Sequence, residues 1–343
     1  MLTILRRILA SSSEIRVVGT ATNGREALRM IPEVNPEVVC TDLHMPIMDG
    51  LELTRQIMAE CPRPILVISA AVQESDAENV FQLLEAGALD VFPKPKGGDQ
   101  SDYDQIAGQL TRKIRILAGV HVMRKRPRKV FEGASRRASR PPLIAAADAP
   151  QPSIVAIGAS TGGPHALEAV LSKLPADFPV PIVCVQHISK GFLAGLTKWL
   201  GSHCRLNTQI AESGTTPERG NVYFAPDGLH LEIDPQGRLL TTTDGPMDGH
   251  RPSVNVLFES VARHAGSGAV GVLLTGMGRD GAKGMRTIRN AGGATIAQDE
   301  ESCIVFGMPK SAVESGAVQD LLPLSKIALK LKEICMARMS SQR

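Results

Sequence analysis

Short apolar runs rich in Val and Ile alternate with segments of helical periodicity, and this alternation restricts the fold more than any other feature of the sequence. It occurs twice, in residues 1–117 and again in residues 153–343. Short connections between strands and helices are typical of βα units, which build parallel sheets covered by helices. The sequence therefore predicts two doubly wound α/β domains, and its 343 residues are enough for two cores.

The first stretch predicts a regular βα order after an opening helix. Apolar residues recur at helical spacing from Ile4 to Leu9. Strands are then predicted at 16–21, 37–42, 64–69 and 88–92, and helices at 24–31, 50–59 and 77–87, with a last helix ending near residue 117.

The second stretch repeats the pattern and adds a shorter antiparallel part. Strands are predicted at 154–160, 181–187, 269–276, 294–298 and 318–322, and helices at 164–174, 192–200, 254–265 and 282–292. Three short runs are expected to pair antiparallel, because the sequence DPQG between two of them is typical of a turn: 221–226, 230–234 and 238–243. The expected fold is a mainly parallel sheet with a small antiparallel annex.

Residues 118–152 differ from both stretches in charge. They carry eight Lys and Arg against two Asp and Glu, whereas residues 1–117 carry 12 against 16. Pro, Ser and Ala accompany the charges, which is typical of a solvated linker. Nucleic-acid binding by the linker is the alternative, but neither flanking stretch shows a DNA-reading helix, so we expect no nucleic-acid partner.

The cysteines and the length of the apolar runs indicate a cytoplasmic protein. Six cysteines lie apart without metal-ligand spacing, which favours reduced thiols over disulfides or a zinc site. No apolar run approaches the roughly 20 residues that a membrane-spanning helix requires. We therefore expect no membrane span.

Ser160 lies between two glycines at a predicted strand-to-helix junction, in the sequence IVAIGASTGGP. A dinucleotide-binding loop requires glycine at the position of Ser160, and a Walker P-loop requires a lysine that this loop does not contain. The spacing of Gly158, Ser160 and Gly162 instead fits the G-x-S-x-G nucleophile elbow, in which a sharp turn exposes the serine hydroxyl. An ordinary Gly- and Ser-rich turn is the alternative.

Two more predicted strand ends supply the partners that a nucleophilic serine needs. His187 ends the run PIVCVQH, and Asp280 lies in TGMGRDG after a third strand. Parallel strands bring their carboxyl ends to one edge of the sheet. We therefore expect Ser160 to attack, His187 to carry the proton and Asp280 to orient the imidazole. Backbone N–H groups around Met277 and at the start of the helix after Ser160 are expected to stabilise the oxyanion.

Residues 153–325 resemble the catalytic domain of the CheB family, the chemotaxis protein-glutamate methylesterases. The motifs that carry the resemblance are GASTGG, VQH, HRPSVNVLF, GVLLTGMGRDGAKGM and AQDEESCIVFGMP. The resemblance implies a triad of Ser160, His187 and Asp280, with the Met277 N–H as an oxyanion donor. It also implies hydrolysis of glutamate γ-methyl esters and deamidation of glutamines on chemoreceptor coiled coils, with no cofactor for catalysis.

Three further residues can each be interpreted in two ways. Thr161 either donates to the oxyanion or caps the following helix. His250 and Arg251, in the sequence GHRPS, either line the substrate groove or belong to a loop that the arginine anchors.

Polar residues also end three predicted strands of the first stretch: Asp42, Ser69 and Lys94. The motif DLHMPIMDG and the order of elements over about 100 residues resemble a response-regulator receiver domain. The resemblance implies that Asp42 accepts a phosphoryl group from a chemotaxis histidine kinase. It further implies that Ser69 hydrogen-bonds this group and that Lys94 pairs with it.

The first stretch departs from the receiver family at its start. In the family, the central strand of a 2-1-3-4-5 sheet comes first and ends in an acidic pair, which holds Mg²⁺ for phosphorylation. Both acids are absent here, so the Mg²⁺ site at Asp42 is incomplete and we expect phosphorylation to fail or to be very weak. The strands at 16–21 and 37–42 also lack a common neighbour. We expect a further segment upstream of Met1.

The sequence thus predicts three parts: an incomplete flavodoxin-like receiver at 1–117, a basic linker at 118–152 and a methylesterase domain at 153–343. In the family, the receiver covers the catalytic edge and phosphorylation loosens this cover. The alternative function is a signalling or binding module that acts through the receiver surface.

Overall fold

A computed structural model describes residues 2–69, 74–95, 100–120, 122 and 151–336. The predicted linker at 118–152 lies almost entirely outside the described residues. Within them, the predicted α/β fold class is confirmed: each half of the chain contains a parallel sheet with helices against it.

The first half contains a three-stranded parallel sheet in the order β1-β2-β3. Its elements in chain order are α1 (Leu2–Ala10), α2 (Gly24–Val34), β1 (Val39–Thr41), α3 (Gly50–Glu60), β2 (Ile65–Ser69), α4 (Glu74–Ala86), β3 (Asp90–Pro93) and α5 (Gln100–Ala118). All of these elements were predicted, and the strand predicted at 16–21 is not among them.

Local capping explains where α3 begins. The Asp49 side chain accepts a hydrogen bond from the Glu52 N–H at 2.8 Å and so satisfies a free donor of the first turn. The next residue is glycine because a Cβ at Gly50 would overlap the Asp42 carbonyl oxygen. This close approach places the start of α3 directly against the strand end that carries Asp42.

The predicted strand at 16–21 is wrong. These residues belong to no strand or helix, and β1 is the edge of its sheet on that side. A cavity of about 650 Å³ lies between residues 16–21 and β1. Mainly apolar side chains line it, including Leu5, Leu9, Val17, Met30 and Val39. A strand needs a neighbour to pair with its backbone, and the cavity occupies the place where that neighbour would lie.

The second half contains a seven-stranded sheet in the order β12-β11-β10-β4-β5-β7-β6, all parallel, and a separate antiparallel pair, β8-β9. Its elements are β4 (Ile154–Ala159), α6 (Gly163–Leu171), β5 (Ile182–Gln186), α7 (Leu193–His203), β6 (Asn207–Ile210), β7 (Asn221–Phe224), β8 (His230–Ile233), β9 (Leu239–Thr242), α8 (Val254–Ala265), β10 (Ala269–Leu273), α9 (Ala282–Asn290), β11 (Ala294–Gln298), α10 (Met308–Glu314), β12 (Asp320–Leu322) and α11 (Leu324–Met336).

The antiparallel annex is smaller than predicted. β8 and β9 form it, joined by the expected turn, in which the Gly237 N–H donates to the Asp234 carbonyl at 2.9 Å. The run at 221–226 was expected to join them, but its residues Asn221–Phe224 form β7 of the large sheet, parallel to β5 and to the unpredicted β6. β7 is almost fully buried, and this burial is typical of a strand inside a parallel sheet.

The strand order places a crevice beside β4. After β4 the chain continues to β5 on one side and later returns to β10 on the other, so the direction of winding reverses between β4 and β10. Ligands of doubly wound sheets bind at the carboxyl ends of the strands at such a reversal. Ser160 follows β4 directly, at this point.

The two halves touch through α4 and α7. The rings of Phe81 and Trp199 stack with their centroids 5.5 Å apart. Glu85 accepts a hydrogen bond from the Trp199 indole at 2.5 Å and pairs with the His203 Nε2 at 2.9 Å. None of the helices in the described part of the chain is both long and apolar enough to cross a membrane.

Candidate active site

Ser160 lies in a tight turn between β4 and α6. Its N–H donates to the Thr275 carbonyl at 3.0 Å, and its carbonyl accepts from the Gly163 N–H at 2.8 Å. Gly162 has a φ of +77°, and a Cβ there would lie 2.7 Å from Ile304. Position 162, two residues after this serine, therefore requires glycine, both because its backbone is left-handed and because a side chain would not fit.

His187 reaches the same edge of the sheet from the neighbouring strand. Its N–H donates to the Ala159 carbonyl at 2.9 Å, which joins the ends of β4 and β5. Its Nε2 lies 2.9 Å from the Asp280 Oδ2. The structure thus brings together the predicted base and the predicted carboxylate, which are 93 residues apart in the sequence.

Asp280 is fully buried and forms three further hydrogen bonds at the start of α8. Its carboxylate accepts from the Ser253 hydroxyl at 2.8 Å, the Val254 N–H at 2.7 Å and the Asn255 N–H at 2.9 Å. Burial by itself raises the pKa of Asp280, but the bond to His187 and the backbone donors outweigh it, so this pKa lies below its usual value. The helix N-terminus thereby keeps the carboxylate charged and fixed.

The contact with Asp280 determines which imidazole nitrogen is available to Ser160. A charged carboxylate accepts a hydrogen bond from Nε2–H, and the other ring nitrogen, Nδ1, is then an acceptor. Nδ1 is buried and has no hydrogen-bond partner. Among the described contacts, no hydrogen bond joins the Ser160 hydroxyl to His187, so the nucleophile-to-base half of the predicted triad is not made in this conformation.

Gln186 connects the two segments and was missed by the sequence analysis. Its buried side chain donates from Nε2 to the Ser160 carbonyl at 2.8 Å and to the His187 carbonyl at 2.9 Å. The only signal in the sequence was a polar amide at the end of an otherwise apolar strand. The amide fixes the backbone of Ser160 relative to the backbone of His187.

The backbone N–H groups of Thr161 and Met277 border the Ser160 turn and donate to no described acceptor. The Thr161 carbonyl is held by the Thr275 hydroxyl at 3.0 Å. The interpretation of Thr161 as a helix cap is wrong, because the N-cap of α6 is Gly162 and no side chain bonds there.

The predicted loop around His250 lies against His187. The Arg251 guanidinium donates to the carbonyls of Thr243 and Asp244 at 2.8 and 3.1 Å, which confirms that it anchors the loop. The His250 ring lies parallel to the ring of His187, with centroids 4.1 Å apart.

The predicted receiver residues also meet at one strand edge. The Lys94 Nζ lies 2.6 Å from the Asp42 Oδ2, and the Lys94 N–H donates to the carbonyl of the buried Ser69 at 2.9 Å. No group of three or more His, Cys, Asp or Glu side chains in the described ranges is arranged to hold a metal ion. With one carboxylate, already paired with a lysine, the residues present here do not fit a Mg²⁺ site.

Comparison with known proteins assigns both halves of the chain. Residues 155–331 match the family model of the CheB methylesterase, and residues 1–101 match that of the response regulator receiver domain. The crystal structure of the Thermotoga maritima CheB methylesterase catalytic domain is 40% identical and superposes with a TM-score of 0.52, over 53% of this chain and 98% of that one.

Similar proteins extend over nearly the whole chain. A protein-glutamate methylesterase/protein-glutamine glutaminase of Hahella chejuensis is 43% identical over 332 residues, which are 96% of this chain and 94% of that protein. One of Nitrosospira multiformis is 40% identical over 331 residues, 96% of this chain and 93% of the other. The chain therefore belongs to the CheB methylesterase family, with a receiver domain before the catalytic domain.

Proposed function

We propose that this chain hydrolyses γ-methyl esters of glutamate side chains, and deamidates glutamines, through a triad of Ser160, His187 and Asp280. The observation that carries the proposal is the 2.9 Å contact between His187 and Asp280 at the strand edge beside the Ser160 turn. The names of the relatives from Hahella chejuensis and Nitrosospira multiformis support the choice of substrate.

Acylation begins with a change of the Ser160 rotamer that brings its hydroxyl to the His187 Nδ1. Nδ1 accepts the proton while Oγ forms a bond to the ester carbonyl carbon. The tetrahedral intermediate then expels methoxide, which takes the proton from the imidazolium and leaves as methanol. Water hydrolyses the Ser160 ester by the same route in reverse, and with a glutamine substrate the leaving group is ammonia.

The intermediate carries its negative charge on the former carbonyl oxygen. The N–H groups of Thr161 and Met277 are the donors proposed to bind it, because both border the nucleophile and neither has a described acceptor. A donor of this kind typically contributes about 2.7 to 4 kcal/mol to the transition state.

The substrate is proposed to be a methylated chemoreceptor coiled coil, and the output chemotaxis. The receiver supports regulation of this activity: Asp42 is the proposed phospho-acceptor, with a histidine kinase as the donor and Ser69 and Lys94 as the residues that respond. Because the residues around Asp42 do not fit a Mg²⁺ site, we expect this phosphorylation to fail or to be very weak. Ile304 supports a coupling, since it lies beside Gly162 and also packs against the apolar cluster of the receiver that contains Leu110.

The proposal is tested by measuring methanol release from methylated receptor by the full chain. Ser160→Ala is expected to abolish release while the thermal unfolding midpoint stays unchanged. Wild-type release rates from this variant would refute the proposal. Incubation with a small phosphoryl donor, with Asp42→Asn as control, tests the regulatory part separately.

A further inference from the structure

The ring of a second histidine, His250, covers one face of the His187 ring. The planes of the His187 and His250 rings differ by only 2°, and the ring centroids lie 4.1 Å apart, so the two rings are stacked. His187 keeps only 10% of its side chain exposed. One ring edge faces Asp280, one face is covered by His250, and the Nδ1 side remains for the nucleophile.

The loop that carries His250 is itself held in place. A short bridge joins Met247 and His250 through two backbone hydrogen bonds of 3.1 and 2.9 Å. On one side of the bridge Arg251 anchors the loop as described, and within it Asp248 pairs with Arg279 at 3.1 Å. His250 is therefore presented to His187 by a fixed loop.

The charge of His250 determines how the stacked contact affects His187. The pKa of His250 is lowered to about 4, mainly by burial and in addition by the neighbouring His187 and by Arg112 of α5. Asp280 and Asp248 act in the opposite direction. The second ring is consequently neutral at neutral pH, so it does not oppose the positive charge that His187 acquires during the reaction.

We propose that His250 is a positioning residue for the esterase reaction: its neutral ring stacks on His187, keeps the imidazole plane aligned with Asp280 and Ser160, and tolerates the imidazolium. This inference rests on the proposed function. A histidine that can rotate about its bond to Cβ spends part of its time with Nδ1 turned away from the serine, and a ring held on one face has less freedom to do so. Stacked rings of this kind stabilise each other beyond the area they bury.

The test compares three substitutions in the full chain by kcat, KM and the pH profile of methanol release. His250→Ala is expected to lower kcat roughly three- to tenfold with KM unchanged, which is the range that a lost ring contact predicts. His250→Phe is expected to restore kcat to within about twofold of wild type, because it keeps the stacked ring without a charge.

His250→Lys gives the charge readout. A fixed cation beside His187 lowers the pKa of the base, so the acid limb of kcat/KM should move to lower pH, whereas it should stay in place in the alanine and phenylalanine variants. The exposed His264 of α8 provides the matched control, and His264→Ala is expected to behave as wild type.

Two results would overturn the inference: a kcat for His250→Ala equal to that of wild type, or equal losses in the alanine and phenylalanine variants accompanied by a lower unfolding midpoint. Failure of the proposed function looks different. In that case Ser160→Ala itself retains methanol release, and the His250 variants no longer report on the positioning of a catalytic base.

Discussion

Asp280 and Asp42 each follow a parallel strand, yet their surroundings differ. Asp280 is 0% exposed and accepts bonds from an imidazole, a hydroxyl and two backbone N–H groups. Asp42 is 22% exposed and its main partner is Lys94. The first carboxylate is fixed before any substrate arrives, and the second can exchange its partner. Rigid fixation suits catalysis, whereas exchangeable pairing suits a switch.

The sheets around the two carboxylates explain this difference. The strand before the Ser160 turn has neighbours on both sides, and those neighbours supply His187 and the glycine-rich turn with Met277. The strand before Asp42 is the edge of a three-stranded sheet and borders a cavity of about 650 Å³. A site built from several strand ends requires a sheet that continues on both sides of it.

The largest difference between the two regions is expected when the charge of each carboxylate is removed in turn. Asp280→Asn should lower kcat by roughly 10⁴, because an amide can no longer hold the Nε2–H tautomer. Asp42→Asn should leave unstimulated methanol release within about twofold, since Asp42 takes no part in the chemistry. Parallel kinetics on the two variants make the comparison, and similar losses in both would contradict it.

A smaller effect is expected from the amide that joins nucleophile and base. In Gln186→Glu the two donated hydrogen bonds disappear, and a carboxylate faces two carbonyl oxygens instead. The resulting displacement should lower kcat about a hundredfold, the effect that a shift of about 1 Å can have. Gln209→Glu on the edge strand β6 serves as control and should keep the wild-type kcat.

A severalfold effect is expected at the contact between the halves. Glu85→Ala removes the acceptor of the Trp199 indole and the partner of His203 without disturbing either core. Single pairs of this exposure contribute about 0.2–1 kcal/mol, so unstimulated activity should rise by up to about fivefold as the receiver loosens. Trp199 is the only tryptophan, and its fluorescence reports the same change. Glu52→Ala on α3 should change neither signal.

The smallest effect concerns acid stability. The pKa of Asp280 is lower in the folded chain than its ordinary value of 3.8, so the unfolded chain binds the proton more readily. Its contribution to stability is present above about pH 4 and is lost as the pH falls through the folded pKa. Unfolding midpoints measured against pH should show this loss in wild type and a flatter acid limb in Asp280→Asn.

The sequence was sufficient for features that depend on local pattern. Strands β4, β5 and β10 were predicted correctly because their apolar runs are continuous. Ser160, His187 and Asp280 were singled out as site residues because each follows such a run. The parallel pairing of 221–224 was missed because a short apolar run does not reveal its neighbour. The strand expected at 16–21 failed for the same reason, since no strand within the described residues pairs with it.

Features that depend on contact between distant segments could not be predicted from the sequence. The bonds of Gln186 to two strand ends, the use of Nε2 rather than Nδ1 by Asp280, and the stacking of His250 all arise from side-chain packing. Periodicity specifies which face of an element is buried, and it does not specify which polar atom meets which.

The central claim is that Ser160 becomes covalently acylated at the edge of the seven-stranded sheet. It is tested most directly by mixing the full chain with a glutamate γ-methyl ester peptide, quenching with acid within the first turnovers and locating the adduct by mass spectrometry. The account predicts an acyl ester on the Ser160 hydroxyl, formed together with methanol and absent from Ser160→Ala. An adduct on another side chain, or undiminished methanol release by Ser160→Ala, would contradict it.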